Sequence, residues 1–108
     1  FPLVEIDPGT VAMEIKVEIY TRQNCVYCRR AKELLRIKGV DFAEYDITND
    51  LLMAAEMRHR SQRQVVPVIL VNDDLLGGCD ELFDLDERGV LDHMLGLDFP
   101  FGATFQPA

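Results

Sequence analysis

The sequence has 108 residues, of which 48% are hydrophobic and 28% are charged, with a formal net charge of −8, which is typical of a single globular domain. No apolar run approaches the roughly 20 residues that span a bilayer, and no continuous basic face suits nucleic acid. Three cysteines with one close pair do not form a disulfide framework and suit a reducing compartment, so we expect a cytoplasmic protein.

The first part of the chain predicts an extension, a strand and a helix. Residues 1–13 contain two prolines and no clear period, and we interpret them as an N-terminal extension of a domain at residues 14–95. Residues 14–20 alternate in polarity and predict a strand with one buried face. A helix is predicted over residues 27–38, followed by Gly39 at its C-terminus. Its expected apolar stripe contains Ala31, Leu34 and Leu35.

A second strand and a second helix follow, over residues 40–47 and 50–59. Thr48 or Asn49 is the expected N-cap of this helix, because short polar side chains accept hydrogen bonds from the free N–H groups of a first turn. The predicted apolar stripe consists of Leu51, Leu52, Ala55 and Met57. We therefore expect these side chains to face the core.

Residues 65–71 form the most β-branched run in the chain and predict a central strand. Pro67 lies inside the run, although proline is normally excluded from central strands. A proline at the start of a strand, often preceded by a cis bond, commonly marks a functional turn. Pro67 therefore indicates such a turn.

The last part of the chain predicts a hairpin and an acidic helix. Residues 72–74 form a turn into a short strand at 75–76, and a helix covers residues 79–86. A final short helix or turn is predicted over residues 90–95, and residues 96–108 are interpreted as a C-terminal extension. The order β-α-β-α-β-β-α predicts an α/β fold with a central four-stranded mixed sheet.

Cys25 and Cys28 have C-x-x-C spacing at the point where the first strand meets the first helix. The free N–H groups of a helix start favour a thiolate there, and Arg22, Arg29 and Arg30 add positive charge. Two cysteines at this spacing can also close a small disulfide. The pattern predicts a redox site.

Two other interpretations of the cysteine pair remain open. A lone C-x-x-C is also half of a zinc site, but a structural zinc takes four protein ligands. Only Cys79, His59 and His93 could complete the set, and none of them belongs to a second paired motif. The pair could also consist of inert buried thiols. Thiol–disulfide chemistry is favoured over both, and no metal is expected.

Four short motifs follow one another along the chain. They are Tyr20-Thr21-Arg22, Cys25-Val26-Tyr27-Cys28, Val66-Pro67 and Gly77-Gly78-Cys79-Asp80-Glu81-Leu82. In this order and spacing they resemble the glutaredoxins, in particular small dithiol members of the bacterial type, over about residues 14–95. The resemblance implies a thioredoxin-like fold, a disulfide oxidoreductase with glutathione as co-substrate, and a cis bond before Pro67.

The resemblance also implies roles for individual residues. Cys25 would be the nucleophile, and Cys28 would resolve the intermediate when the substrate is a protein disulfide. The residues implied in glutathione binding are Arg22, Tyr27, Val66, Pro67, Gly78, Cys79 and Asp80.

Among these, Arg22 would contact the glycine carboxylate, and the N–H groups of Cys79 and Asp80 would hold the γ-glutamyl carboxylate. Asp80 or Glu81 could pair with the ligand's ammonium group. Two simpler interpretations stand beside these: Tyr27 as a packing residue, and Asp80 as an ordinary acid of a first helical turn. The Cys79 thiol is expected to be a buried small side chain.

One departure from the family pattern keeps two alternatives open. Val26 stands where the family usually has proline. Valine is common there in redoxins that take electrons from thioredoxin reductase and serve ribonucleotide reductase, but residues 77–81 favour glutathione. Some glutaredoxins instead hold an iron–sulfur cluster between two subunits. We expect a monomer that acts on glutathionylated or disulfide-bearing proteins, with ribonucleotide reductase as one candidate.

Overall fold

The computed structural model describes residues 15–97. The strands are β1 (Val17–Thr21), β2 (Ala43–Asp46), β3 (Val68–Val71) and β4 (Asp74–Gly77). The helices are α1 (Val26–Ile37), α2 (Leu51–Ser61), α3 (Cys79–Glu87) and α4 (Leu91–Met94). The predicted element order is confirmed, and α4 is the short helix expected near the end. The interpreted extensions lie almost wholly outside the described residues, so the domain boundaries stay predictions.

The four strands form one mixed sheet in the order β2-β1-β3-β4. β1 runs parallel to β2, with Glu18 opposite Ala43, and antiparallel to β3, with Glu18 opposite Leu70. β3 and β4 form the predicted hairpin. The sheet therefore has the α/β, mixed four-stranded architecture expected from the sequence.

β1 is buried on both faces because it is a central strand with helices above and below it. All five of its residues are buried, so the expectation of a single buried face is wrong. Ile19 belongs to the apolar cluster that contains Leu35 of α1 and Leu82 of α3. Tyr20, on the opposite face, packs in a second cluster with Met57 of α2. Apolar burial on both sides fixes the end of β1, from which the candidate site begins.

The second helix starts later than predicted, at Leu51, and its N-cap is Asp50. The Asp50 carboxylate accepts a hydrogen bond from the N–H of Met53 at 2.9 Å. The Thr48 side chain does not cap α2, because its hydroxyl accepts a hydrogen bond from the N–H of Gln23 at 2.8 Å, in the turn after β1. The prediction of Thr48 or Asn49 as the cap is therefore wrong by one or two residues.

The predicted apolar stripe of α2 is also mostly wrong. Leu51 and Leu52 are 87% and 84% exposed, and Ala55 is exposed as well. The residues that α2 buries are Ala54, Met57 and Ser61. The first turn of α2 lies beyond the core, so apolar character there does not translate into burial.

β3 is shorter than the predicted run of residues 65–71 and begins at Val68. Pro67 precedes it, with a cis bond between Val66 and Pro67. The proline therefore lies outside the strand ladder, where its missing N–H is not needed. The apparent conflict between a proline and a central strand is resolved in this way.

β2 is also shorter than predicted: it covers Ala43–Asp46, within the predicted residues 40–47.

None of the helices formed by residues 15–97 combines the length and the apolar character needed to cross a membrane.

Candidate functional site

The candidate site begins in the turn between β1 and α1. Asn24 has a left-handed backbone with φ of 58°, and Cys25 follows as the N-cap of α1. The N–H of Cys28 donates a hydrogen bond to Cys25 Sγ at 3.1 Å. The Cys25 thiol is half-buried and lies where the free N–H groups of a helix stabilise negative charge.

The second thiol of the pair has a different environment. Cys28 lies in the first turn of α1 and is 1% exposed. Burial, assisted by its hydrogen bond with Cys25, raises the pKa of Cys28 to about 12. Cys28 is therefore a protonated thiol at neutral pH and is shielded from large molecules, whereas Cys25 is reachable.

The turn that carries Cys25 is tied to the neighbouring turn between β2 and α2. The N–H of Gln23 donates to Thr48 Oγ1 at 2.8 Å, and the Thr48 hydroxyl donates to Asp46 at 2.6 Å. This chain of bonds joins the ends of two adjacent parallel strands. It holds the backbone just before Cys25 in one place.

Basic side chains lie next to the cysteines in a pocket of about 340 Å³, whose lining residues include Cys25 and Cys28. Lys32 in this pocket is paired with Glu44 at 2.9 Å. Arg22 and Arg29 are exposed and also line it. Arg22, predicted to contact a ligand carboxylate, thus lies beside Cys25 in this pocket.

A larger groove of about 560 Å³ runs between the loop before β3 and the start of α3. We call it the cis-proline groove. Six of the predicted ligand-binding residues line it together: Tyr27, Val66, Pro67, Gly78, Cys79 and Asp80. Arg22 does not line this groove. The structure therefore brings six of the seven predicted binding residues into one groove and places the seventh in the pocket beside Cys25.

Two glycines allow α3 to start close to the proline loop. Gly77 has φ of +135°, and a Cβ there would lie 2.7 Å from Glu81 Cβ. A Cβ on Gly78 would lie 3.2 Å from the carbonyl oxygen of Pro67. A side chain on Gly78 would push α3 away from the proline loop, and a side chain on Gly77 would displace Glu81 within the start of α3.

Glu81 is engaged within the protein. Its carboxylate accepts a hydrogen bond from the N–H of Gly78 at 2.7 Å and pairs with Arg63 at 3.4 Å. The Gly78 hydrogen bond and then the Arg63 guanidinium hold the pKa of Glu81 below its usual value. Glu81 therefore does not fit the predicted alternative of a free partner for a ligand ammonium group, while Asp80 remains exposed in the groove.

Cys79 is buried as the first residue of α3, and burial raises the pKa of its thiol. Its backbone N–H belongs to the first turn of α3, where N–H groups have no partner within the helix, and Cys79 lines the groove. The side chain is the small buried group that was expected.

Sequence reasoning missed Arg63, Gln64 and Val65, which line the same groove. Two features of the sequence could have indicated that Arg63 lies in the site. Arg63 is a basic residue four positions before Pro67, and Glu81, its partner, is the third residue of a helix, where an acidic side chain often accepts a hydrogen bond from the N-cap N–H.

A family model described as glutaredoxin matches residues 17–76. Glutaredoxin 3 of Escherichia coli (strain K12) is 49% identical over 79 residues, which cover 73% of this chain and 95% of that protein.

Two solved structures are similar to the whole fold. The glutaredoxin of Brucella melitensis has a TM-score of 0.67 and 44% identity, and the match covers 76% of this chain and 89% of that one. The buckwheat glutaredoxin–glutathione complex has a TM-score of 0.68 at 20% identity, with 80% and 84% covered.

Proposed function

The chain belongs to the glutaredoxin family, and on this premise we propose that it is a glutathione-dependent thiol–disulfide oxidoreductase. Its proposed substrates are protein–glutathione mixed disulfides and protein disulfides. The observation that carries the proposal is the Cys25 thiol at the start of α1, with the Cys28 N–H bonded to its sulfur at 3.1 Å. A hydrogen bond from a helix-start N–H favours the thiolate, which is the nucleophilic form of cysteine.

In the proposed reaction, the Cys25 thiolate attacks the glutathione sulfur of a mixed disulfide. A disulfide forms between Cys25 and glutathione, the bond to the substrate sulfur breaks, and the substrate leaves as a thiolate that is then protonated by water. A second glutathione thiolate attacks the glutathione sulfur held on Cys25. Oxidised glutathione leaves, and the Cys25 thiolate is regenerated.

For a protein disulfide, we assign the resolving step to Cys28. Attack by Cys25 gives a mixed disulfide between the enzyme and the substrate protein. Cys28 then attacks Cys25 Sγ and loses its proton to the departing substrate sulfur, so the substrate leaves as a thiol and a disulfide forms between Cys25 and Cys28. The burial of Cys28 and its raised pKa keep it out of the first attack.

We propose that glutathione binds in the cis-proline groove. The backbone groups of Val66 and Pro67 lie there and suit pairing with the cysteinyl part of an extended tripeptide. The N–H groups at the start of α3, at Cys79 and Asp80, suit the γ-glutamyl carboxylate, and Asp80 suits the ammonium group beside it. The buckwheat protein of the same fold was solved as a glutathione complex, which supports this choice of ligand.

Two arginines are candidates for the glycine carboxylate. Arg22 stands beside Cys25, and Arg63 lines the groove but is paired with Glu81. We assign the contact to Arg22, because no ion pair involves it within residues 15–97. Tyr27 then forms a wall of the groove next to the nucleophile.

The test is reduction of a glutathione–2-mercaptoethanol mixed disulfide, coupled to glutathione reductase. Cys25→Ser is expected to abolish turnover. Cys28→Ser is the matched control, because it removes a thiol of the same motif that the first step does not need. It is expected to retain activity with the mixed disulfide and to lose the reduction of protein disulfides.

Equal loss in both variants would contradict these roles. A wild type that is inactive with glutathione but reduced by thioredoxin reductase would favour the redoxin that serves ribonucleotide reductase.

We also propose that the protein acts in the cytoplasm, because its cysteine pair must be reduced again after each turnover. We propose that it acts there as a monomer.

A further inference from the structure

A second groove lies between α1 and α3. Val26, Arg29, Arg30 and Ile37 of α1 and Phe83 of α3 line it, and its volume is about 460 Å³. We call it the α1–α3 groove. None of its lining residues lines the cis-proline groove. It is therefore a separate surface feature.

The α1–α3 groove exposes apolar surface that the core does not use. Val26 at one end is 53% exposed, and Ile37 at the other end is 70% exposed. Phe83 forms the opposite wall and is partly buried. Val26 and Ile37 lie on one stripe of α1 and are about 16 Å apart along the helix axis, which matches about five residues of an extended peptide.

The groove is also locally basic in a protein whose net charge is −8. Arg29 and Arg30 are exposed, and neither forms an ion pair with any of residues 15–97. The Arg30 guanidinium carbon lies 5.4 Å from the centre of the Phe83 ring, so the charge sits directly against apolar surface. Glu33 is the one acid in the lining. A ligand with negative charge beside an apolar side chain is complementary to this surface.

Cys25 is followed in the chain by one residue of each groove, and it shares a pocket with Arg29 of the α1–α3 groove. Val26, the next residue, lines the α1–α3 groove, and Tyr27 lines the cis-proline groove. A glutathionylated protein has two halves on either side of one disulfide. With its glutathione half in the cis-proline groove, the α1–α3 groove is free for the protein half.

We propose that the α1–α3 groove binds the protein half of the substrate, in the form of an extended segment with an acidic residue beside an aromatic or aliphatic one. The segment lies within about five residues of the cysteine that is reduced. The inference rests on the proposed function and adds a class of preferred substrate. The reaction is unchanged: Cys25 takes the glutathione, and the segment leaves with its cysteine as a thiol.

The test compares kcat/KM for three substrates. One is a glutathionylated peptide with Asp and Phe near its cysteine, and the second carries Lys in place of Asp. The third, the 2-mercaptoethanol mixed disulfide, reports the chemistry alone. We expect the wild type to favour the acidic peptide by about tenfold, equivalent to about 1.4 kcal/mol.

Arg30→Glu tests the groove by charge reversal. It is expected to remove or invert the preference between the two peptides, and the ratio cancels any effect on the thiol chemistry. Arg58→Glu is the control, since Arg58 is exposed on α2, lines neither groove and makes the same change in net charge. It should keep the wild-type ratio. Equal kcat/KM values for both peptides in the wild type, or an unchanged ratio in Arg30→Glu, would overturn the proposal.

A binding measurement separates this inference from the proposed function. The acidic peptide, with serine in place of cysteine and a fluorescent label, is titrated with wild type and Ile37→Ser while anisotropy is recorded. Weaker binding to Ile37→Ser supports the groove, even if the wild type fails to reduce the 2-mercaptoethanol mixed disulfide. Absence of binding to the wild type, or a wild-type dimer that Ile37→Ser dissociates, would overturn the proposal.

Discussion

At the scale of single residues, the two thiols of the C-x-x-C pair differ mainly in burial. Cys25 is half-buried, whereas Cys28 is 1% exposed and burial raises its pKa to about 12. We expect iodoacetamide to alkylate Cys25 first and to leave Cys28 largely unmodified up to about pH 9, because the thiolate is the reactive form. Mass spectrometry of proteolytic peptides measures this. In urea both thiols should react, and equal rates in the native protein would contradict the assignment.

Gly77 and Gly39 allow a matched test of crowding at the start of α3, next to the cis-proline groove. Both have positive φ, but a Cβ meets nothing within 4 Å at Gly39 and lies 2.7 Å from Glu81 Cβ at Gly77. We expect Gly39→Ala to lower the free energy of unfolding by about 1 kcal/mol, and Gly77→Ala by about 3 kcal/mol. Urea unfolding measures both. Gly77→Ala should also raise KM for glutathione mixed disulfides, and similar losses in the two variants would argue against a crowded site.

The residues of the candidate site were predictable to different degrees. The sequence alone indicated Cys25, Cys28 and the glycine motif, because each is defined by residues that lie close together in the chain. Arg63 was missed because its significance depends on Glu81, which is 18 residues away and comes near only through folding. Arg22 was predicted as a ligand contact, and only the fold shows that it lines a different pocket from the other six.

At the scale of elements, a polar network joins β1 to α2 on one face of the sheet. Glu18 is 5% exposed in the central strand, and its carboxylate accepts a hydrogen bond from Arg60 at 2.8 Å. The Tyr45 hydroxyl donates to the same carboxylate at 2.8 Å. Arg60 also donates to the Tyr20 hydroxyl at 2.9 Å. The network satisfies a buried charge and fixes the last turn of α2, which leads to Arg63.

This network makes stability depend on pH. The hydrogen bond from Arg60 holds the pKa of Glu18 below its usual value. The folded state therefore favours the ionised carboxylate, and its contribution is present above about pH 4.3 and is lost as the pH falls through the lowered pKa. We expect Glu18→Gln to lose about 2 kcal/mol at neutral pH and to show a weaker dependence on acid in urea unfolding.

Glu56→Gln is the control for this prediction. Glu56 accepts a hydrogen bond from Tyr20 in the same network, but its side chain is 49% exposed. Its loss should be smaller than that of Glu18→Gln. If the two variants unfold with the same acid dependence, Glu18 is not the group responsible.

The elements were predictable where apolar spacing and burial coincide. The stripe of α1 was correct, since Ala31, Leu34 and Leu35 are all buried. The stripe of α2 was wrong because Leu51 and Leu52 lie in a first turn that extends past the core. Apolar spacing shows which face of a helix is apolar, but it does not show which turns of the helix contact the sheet.

At the scale of the whole molecule, one lysine connects three helices. Lys38, just after α1, pairs with Asp86 of α3 at 2.6 Å and with Asp92 of α4 at 2.8 Å. Asp86 and then Asp92 raise the pKa of Lys38.

Both apolar clusters described above form among residues 15–97. The described part of the chain therefore contains a core on each side of the sheet.

We expect residues 14–97 to fold without the remaining residues. The shortened chain should keep kcat/KM for the 2-mercaptoethanol mixed disulfide, and its free energy of unfolding should change by no more than about 0.5 kcal/mol. Urea unfolding and size-exclusion chromatography beside the full chain measure this. A larger loss of stability, or a change of oligomeric state, would mean that the interpreted extensions belong to the folded unit.

The hydrogen bond from the Cys28 N–H to Cys25 Sγ links the chemistry to the backbone. In the proposed reaction, one sulfur atom serves both as the cap of α1 and as the attacking atom. A sulfur engaged in a disulfide is a poorer acceptor than a thiolate, so each proposed turnover would weaken the cap and then restore it. We therefore expect the Cys28 amide proton to exchange with solvent faster in the glutathionylated protein than in the free protein. Its NMR signal would then follow the state of the Cys25 sulfur through the backbone.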